Sequence, residues 1–145
     1  FFNNNADDIL AIADAMMMGE LEYRKENHET AFNHLETAVQ LNDNLYYTEP
    51  WAWMHPPRHA LGALLLEQGH VEKAEQVYRA DLGLDKNLAR PLQHPNNVWG
   101  LHGYLECLQR TGQYGKSKEV QKTLNSALAQ TGQKITSSCY CRRTG

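Results

Sequence analysis

"EQGHVEKAEQVYR", residues 67–79, has a glycine at 69, an alanine five positions later at 74 and a tyrosine four beyond that at 78. Val71, Ala74, Val77 and Tyr78 recur at helical spacing, so a helix is predicted from 71 onward. A glycine just ahead of it suits a turn between two helices, where a positive φ is cheap only without a Cβ. The small side chain of Ala74 predicts a close crossing of two antiparallel helices, and Tyr78 predicts an aromatic filling the space toward a neighbouring unit. Gly62, on the preceding helix, is the small partner expected at that crossing.

The stretch has copies. Residues 26–45, "ENHETAFNHLETAVQLNDNL", lie over 69–88, "GHVEKAEQVYRADLGLDKNL", without a gap, and a third copy starts at 112 with "GQYGKSKEVQKTLNSAL". The shift is 43 residues both times: Gly19 matches Gly62, Leu35 matches Tyr78, His59 matches His102, and Ala31 matches Ala74 and then Ser117. A constant shift signals a repeat architecture in which each unit is one supersecondary element. Each unit reads as two helices, predicted near 6–25 and 28–42, 57–68 and 71–84, and 97–111 and 114–130. Pro50, Pro56, Pro57, Pro91 and Pro95 fall in the connectors, where they stop one helix and set up the next. Period-two alternation is nearly absent, so the fold class is all-α.

The spacing of small residue, glycine, alanine and aromatic resembles the tetratricopeptide repeat, most closely in the second unit with Leu61, Gly62, Gly69, Ala74 and Tyr78. The resemblance covers roughly residues 6–130. It departs in length, since the usual unit has about 34 residues and the extra residues here sit in the connectors 44–57 and 87–97. The period of 43 also suits the HEAT class; the glycine and alanine register favours the tetratricopeptide reading. The stretch from "YTEPWAWMHPP" to "YRADL" also looks like the C-terminal part of larger microbial tetratricopeptide proteins. The resemblance implies a superhelical array of antiparallel helix pairs, an α-solenoid of about three units, over 1–130, with a tail at 131–145. Terminal units of such arrays carry polar caps. Phe1 and Phe2 have no evident partner, so further repeats or self-association are expected at that end.

Bulk properties narrow the function. The chain of 145 residues is 41% hydrophobic and 21% charged, with net charge −3. No basic field favours nucleic acid or an anionic membrane, and no apolar run is long enough to span a bilayer. Three cysteines, Cys107, Cys139 and Cys141, do not make a disulfide framework; a reducing, cytoplasmic setting is the expectation. Cys107 sits at helical spacing with Tyr104 and Leu108 and reads as a buried structural thiol.

In the repeat resembled, the first helix of each pair lines the concave side. The equivalent positions here are Met16, Glu20, Tyr23 and Arg24, then His59, Leu66 and Glu67, then His102, Glu106 and Arg110, with Trp99 on the same surface. Such a mixed groove suits a protein or peptide partner held by apolar anchors and a few polar contacts. Lysine and asparagine, which form a clamp for C-terminal carboxylates in chaperone-binding members, are missing at the matching positions, and Glu20 and Glu106 would repel an anionic end. In the connector, Glu49, Trp51, Trp53, His55 and Arg58 read either as a structural cap, with Glu49 paired to Arg58, or as a rim over the groove.

His59, His102 and Glu106 are a second reading, a histidine and carboxylate metal site. No HExxH or CxxC spacing accompanies them, and no cofactor is assigned. Cys139 and Cys141 could serve a soft ion, although one pair cannot complete a site, and a flexible tail is the expectation there. No GxSxG, phosphate loop or dinucleotide glycine motif is present, so no catalytic residue is assigned. An enzyme would need a constellation of histidine and glutamate in the groove.

Overall fold

The computed structural model describes residues 3–142, so the expectation at Phe1 and Phe2 lies outside the described residues. Regular structure among them consists of six α-helices and one short 3-10 turn at Arg90–Leu92, with no strand. The helices are α1 (Ala6–Arg24), α2 (His28–Asp43), α3 (Pro57–Glu67), α4 (Val71–Asp81), α5 (Val98–Arg110) and α6 (Tyr114–Thr131). The main difference from the sequence reading is the earlier end of α4, where Gly83 takes φ +72° and closes the helix. Among the described residues, no helix is long and apolar enough to cross a membrane. The chain forms two compact units, Phe1–Leu61 and Gly62–Gly145, so α3 begins in one and ends in the other.

In the first unit α1 and α2 form an antiparallel hairpin around Ile12, Ala31, Leu35 and Ala38, all fully buried. The helices cross where Gly19 meets Leu35; a Cβ on Gly19 would come within 2.7 Å of Leu35 Cγ, so only glycine lets the helices approach this closely. The segment before α1 is tied down by Asn4, whose side-chain amide donates to the Tyr46 carbonyl at 2.9 Å and accepts from the Tyr46 N–H at 2.8 Å. Arg58 is buried and forks onto Asp43 with two bonds of 2.6 Å. The expected Glu49–Arg58 pair is therefore corrected. Asp43, at the end of α2, offers both carboxylate oxygens to the planar guanidinium, while Glu49 accepts from the Tyr47 hydroxyl. The Glu49–Pro50 bond is cis. Leu10, Met17 and Leu21 stay exposed on α1.

In the second unit Tyr78 of α4 is fully buried between two glycines, Gly62 of α3 and Gly103 of α5. A Cβ on either would strike the far end of the phenol ring, at 2.6 Å from Cζ for Gly62 and closer still for Gly103. The tyrosine predicted to reach a neighbouring helix thus bridges three. Ala74 and Leu65 are buried as expected. So is Cys107, whose thiol is pushed up to about 12 by burial. Asp81 at the end of α4 has no solvent exposure and fixes the following connector. It holds His94 Nδ1 and Asn97 Nδ2 at 2.8 Å each, its backbone carbonyl accepts from the His94 N–H, and Asn97 caps α5 by accepting from the Gly100 N–H at 2.7 Å.

The three hairpin turns are alike in backbone detail. Glu26, Gly69 and Gly112 take φ of 66°, 80° and 71°. The next residue in each turn donates back to the helix it leaves: Asn27 to Glu22, His70 to Leu65 and Gln113 to Leu108. The following helices open with matching bonds from Ala31 to Asn27, Ala74 to His70 and Ser117 to Gln113. This closure satisfies carbonyls that a helix end would otherwise orphan.

Candidate functional site

Helix α5 turns its apolar side, Val98, Leu101, Leu105 and Leu108, into the core. Trp99, His102, Glu106 and Arg110 recur every three or four residues on another side, so they share one face. What lies on that face is the chain itself. After α6, Gly132 adopts φ +64° and releases the backbone, and residues 133–142 return to α5.

Three pairings hold this tail. His102 Nε2 lies 2.9 Å from the Ile135 carbonyl; a carbonyl can only accept, so the imidazole donates. Burial pulls the His102 pKa below its ordinary value, opposed by that hydrogen bond. Glu106 binds Arg142 at 2.6 Å through one carboxylate oxygen and Arg110 at 2.5 Å through the other. Arg110 in turn donates to the Leu66 carbonyl at the end of α3, at 2.7 Å. The Trp99 and Tyr140 rings meet edge to face, with centroids 4.9 Å apart and planes at 77°.

The expected flexible tail is therefore a packed one. Ile135, Ser138, Cys139 and Cys141 are buried, and Cys139 and Cys141 are joined as a disulfide rather than standing as free thiols. The fit is incomplete. A cleft of about 560 Å3 remains between helix and tail, lined by His102, Leu105, Glu106 and Gln109 on one side and Thr136, Ser137, Ser138, Tyr140 and Arg142 on the other. The Tyr78 hydroxyl, the Ser138 hydroxyl and Arg142 Nε are buried without a hydrogen-bond partner. Burial also lifts the Tyr78 phenol above its usual range, opposed by the neighbouring Ser138 hydroxyl.

Several residues assigned to an accessible groove are core residues instead. Met16 is buried, and its sulfur accepts from Trp53 Nε1 at 3.3 Å. Tyr23 is buried against His28 and Phe32, with the Arg24 guanidinium 5.5 Å from its ring centre. His59 and Leu66 are buried too. A groove position keeps its side chain accessible, and these four side chains are buried. Glu20 and Glu67 are half-buried, and Arg24 is exposed. Of the connector rim, Trp51 and His55 are exposed, Trp53 is half-buried and Arg58 is buried.

His102 and Glu106, the second unit's members of the metal reading, are engaged by Ile135 and by two arginines. Among the described residues no group of three His, Cys, Asp or Glu side chains is arranged to hold a metal ion. Ile135, Tyr140 and Arg142 escaped the sequence reading; the available signal was one isoleucine and a Cys-Tyr-Cys-Arg run in an otherwise polar tail. No family model matches the chain, and no curated protein aligns with it significantly.

Proposed function

We propose that this chain is a non-catalytic interaction module of the tetratricopeptide kind, built as an α-solenoid of three helix pairs with a period of 43 residues. It binds a protein or peptide segment on first-helix faces such as that of α5. Two facts support the architecture. The backbone hydrogen bonds of the three turns recur at positions 43 apart, and the Gly19–Leu35 and Gly62–Tyr78 crossings are the same pair shifted by that period. Either could arise in unrelated hairpins; their shared register favours a repeated unit. The cytoplasmic setting expected from the cysteine count is not part of this reading, since Cys139 and Cys141 are joined as a disulfide and such bonds are rare in a reducing compartment.

The observation that carries the binding reading is the occupied face of α5. Trp99, His102 and Glu106 hold a non-helical segment through an aromatic pair, a backbone hydrogen bond and a charged fork. Aromatic and arginine anchors of this kind are enriched at protein interfaces and dominate their binding energy. The test is fluorescence anisotropy of a diverse set of labelled peptides against the full chain and its Trp99→Ala variant. Binding that weakens by about 2 kcal/mol on loss of the tryptophan, a typical anchor value, supports the reading. Failure of the whole set, or indifference to Trp99, refutes it.

A further inference from the structure

On the interaction-module reading, the geometry points to a class of partner: the α5 face recognises an irregular segment carrying an aromatic residue two positions before an arginine, and residues 133–142 are the chain's own copy of it. The face is a set of directed groups. Trp99 presents a ring to the edge of Tyr140, His102 donates to a backbone carbonyl, and Glu106 forks onto Arg142. Half of the charge arrangement belongs to the helix. Arg110, anchored to the Leu66 carbonyl, sits on Glu106 Oε1, while Arg142 makes its short bond to Oε2 and a longer one of 3.4 Å to the shared Oε1, the place of a cation supplied by the ligand. An arginine meets that demand with a charge-assisted, geometrically specific bond; an acidic segment would place like charge against Glu106.

The tail is a displaceable occupant. Tyr140 is 74% exposed although it touches Trp99, the cleft beneath the tail stays open, and the tail's own Ser138 hydroxyl and Arg142 Nε are buried without close hydrogen-bond geometry. Unpaired buried groups weaken the closed state by their desolvation. Release of the tail returns its unpaired groups to water, and a partner that also fills the cleft outcompetes the tail despite the tail's tethered advantage.

The test uses the full chain and its Arg142→Glu variant, whose own tail meets Glu106 with like charge. The probe is a labelled synthetic peptide of residues 133–142, QKITSSCYCR, in its oxidised form. Removing a competing internal ligand raises apparent affinity by the inverse of the free fraction. The variant should therefore bind the probe about tenfold more tightly than the natural chain if the tail covers the face roughly nine-tenths of the time. Probes carrying Arg142→Glu or Tyr140→Ala should lose most of that binding, and substitutions in the probe cannot unfold the protein. Circular dichroism of the variant confirms that its helices persist.

Equal probe affinity for both chains, or indifference to the charge of the probe, overturns the proposal. An acidic control peptide that binds better overturns this partner class while leaving peptide binding in place; silence from every peptide removes both. Concentration-dependent dimerisation of the natural chain through its tail assigns the segment to a second copy and also overturns it.

Discussion

Gly103→Ala isolates the contact on which the second unit is built. In a helix interior, replacing glycine by alanine normally gains about 1 kcal/mol, because alanine restricts the unfolded chain and is the better helix former. At Gly103 the new methyl would overlap the Tyr78 ring, which is fully buried. The ring cannot retreat, because a Cβ on Gly62 would already stand 2.6 Å from its Cζ on the other side. Overpacking of this kind costs about 1–3 kcal/mol. A ring flanked by backbone on two sides belongs in the upper part of that range, so the net loss should be about 1–2 kcal/mol. Gly115→Ala is the internal control: it lies in the first turn of α6 with nothing within 4 Å of its Cβ position, and should gain about 0.5 kcal/mol. Urea melts followed by far-UV circular dichroism measure both, and unchanged m-values would place the effect in stability. If Gly103→Ala stabilised the chain as Gly115→Ala does, the three-helix role of Tyr78 would be wrong.

Glu26 stands where the other two turns use glycine, at φ 66°. Glu26→Gly should stabilise by about 1 kcal/mol, the cost of a left-handed L-residue less the added freedom of the unfolded chain, and an unchanged urea midpoint would contradict that. Asp81→Ala removes the buried acceptor that His94 and Asn97 share under the connector; the loss should be about 1–3 kcal/mol, the cost of leaving buried polar groups unsatisfied, with hydrogen exchange of residues 85–97 accelerating first. For Cys107, burial favours the protonated thiol up to about 12. The unfolded thiol loses its proton first, so the unfolded state binds fewer protons and stability falls as pH rises from about 9 toward 12; a Cys107→Ala variant should show a shallower decline in thermal midpoint. His102 has the opposite sign. Its lowered folded pKa means the unfolded state binds more protons, so this contribution is lost as pH falls below about 6.5. Exchange protection factors at residues 135–142 that fall in acid would report it, and protection factors unchanged across that range would contradict it.

What could be read from the sequence is what short-range physics determines. The six helices follow from apolar spacing and from prolines in the connectors. The turns follow from Gly69 and Gly112, whose conformation is decided within one helical turn, and the same register placed a turn at Glu26 without a glycine. The pairing of Gly62 with Tyr78 was legible because a small and a large side chain at fixed offsets on joined helices can meet in few ways.

The accessible surface was not legible in this way. Met16, Tyr23, His59 and Leu66 sit at positions that a bare repeat would expose, yet each is buried, because burial depends on every element that packs nearby. Arg58 was within reach of both Glu49 and Asp43, and only the folded path set the Asp43 carboxylate square to the guanidinium. The tail shows the limit most clearly. Its hold on α5 is the sum of contacts between residues more than thirty positions apart, Ile135 with His102 and Arg142 with Glu106. Each is modest, and their local trace is only one isoleucine and a Cys-Tyr-Cys-Arg run in a polar stretch of sequence. The sequence alone determined the helices and their turns, whose hydrogen bonds lie within a few residues; the tertiary structure alone decided what covers the outer face of α5, because that depends on where a distant segment comes to rest.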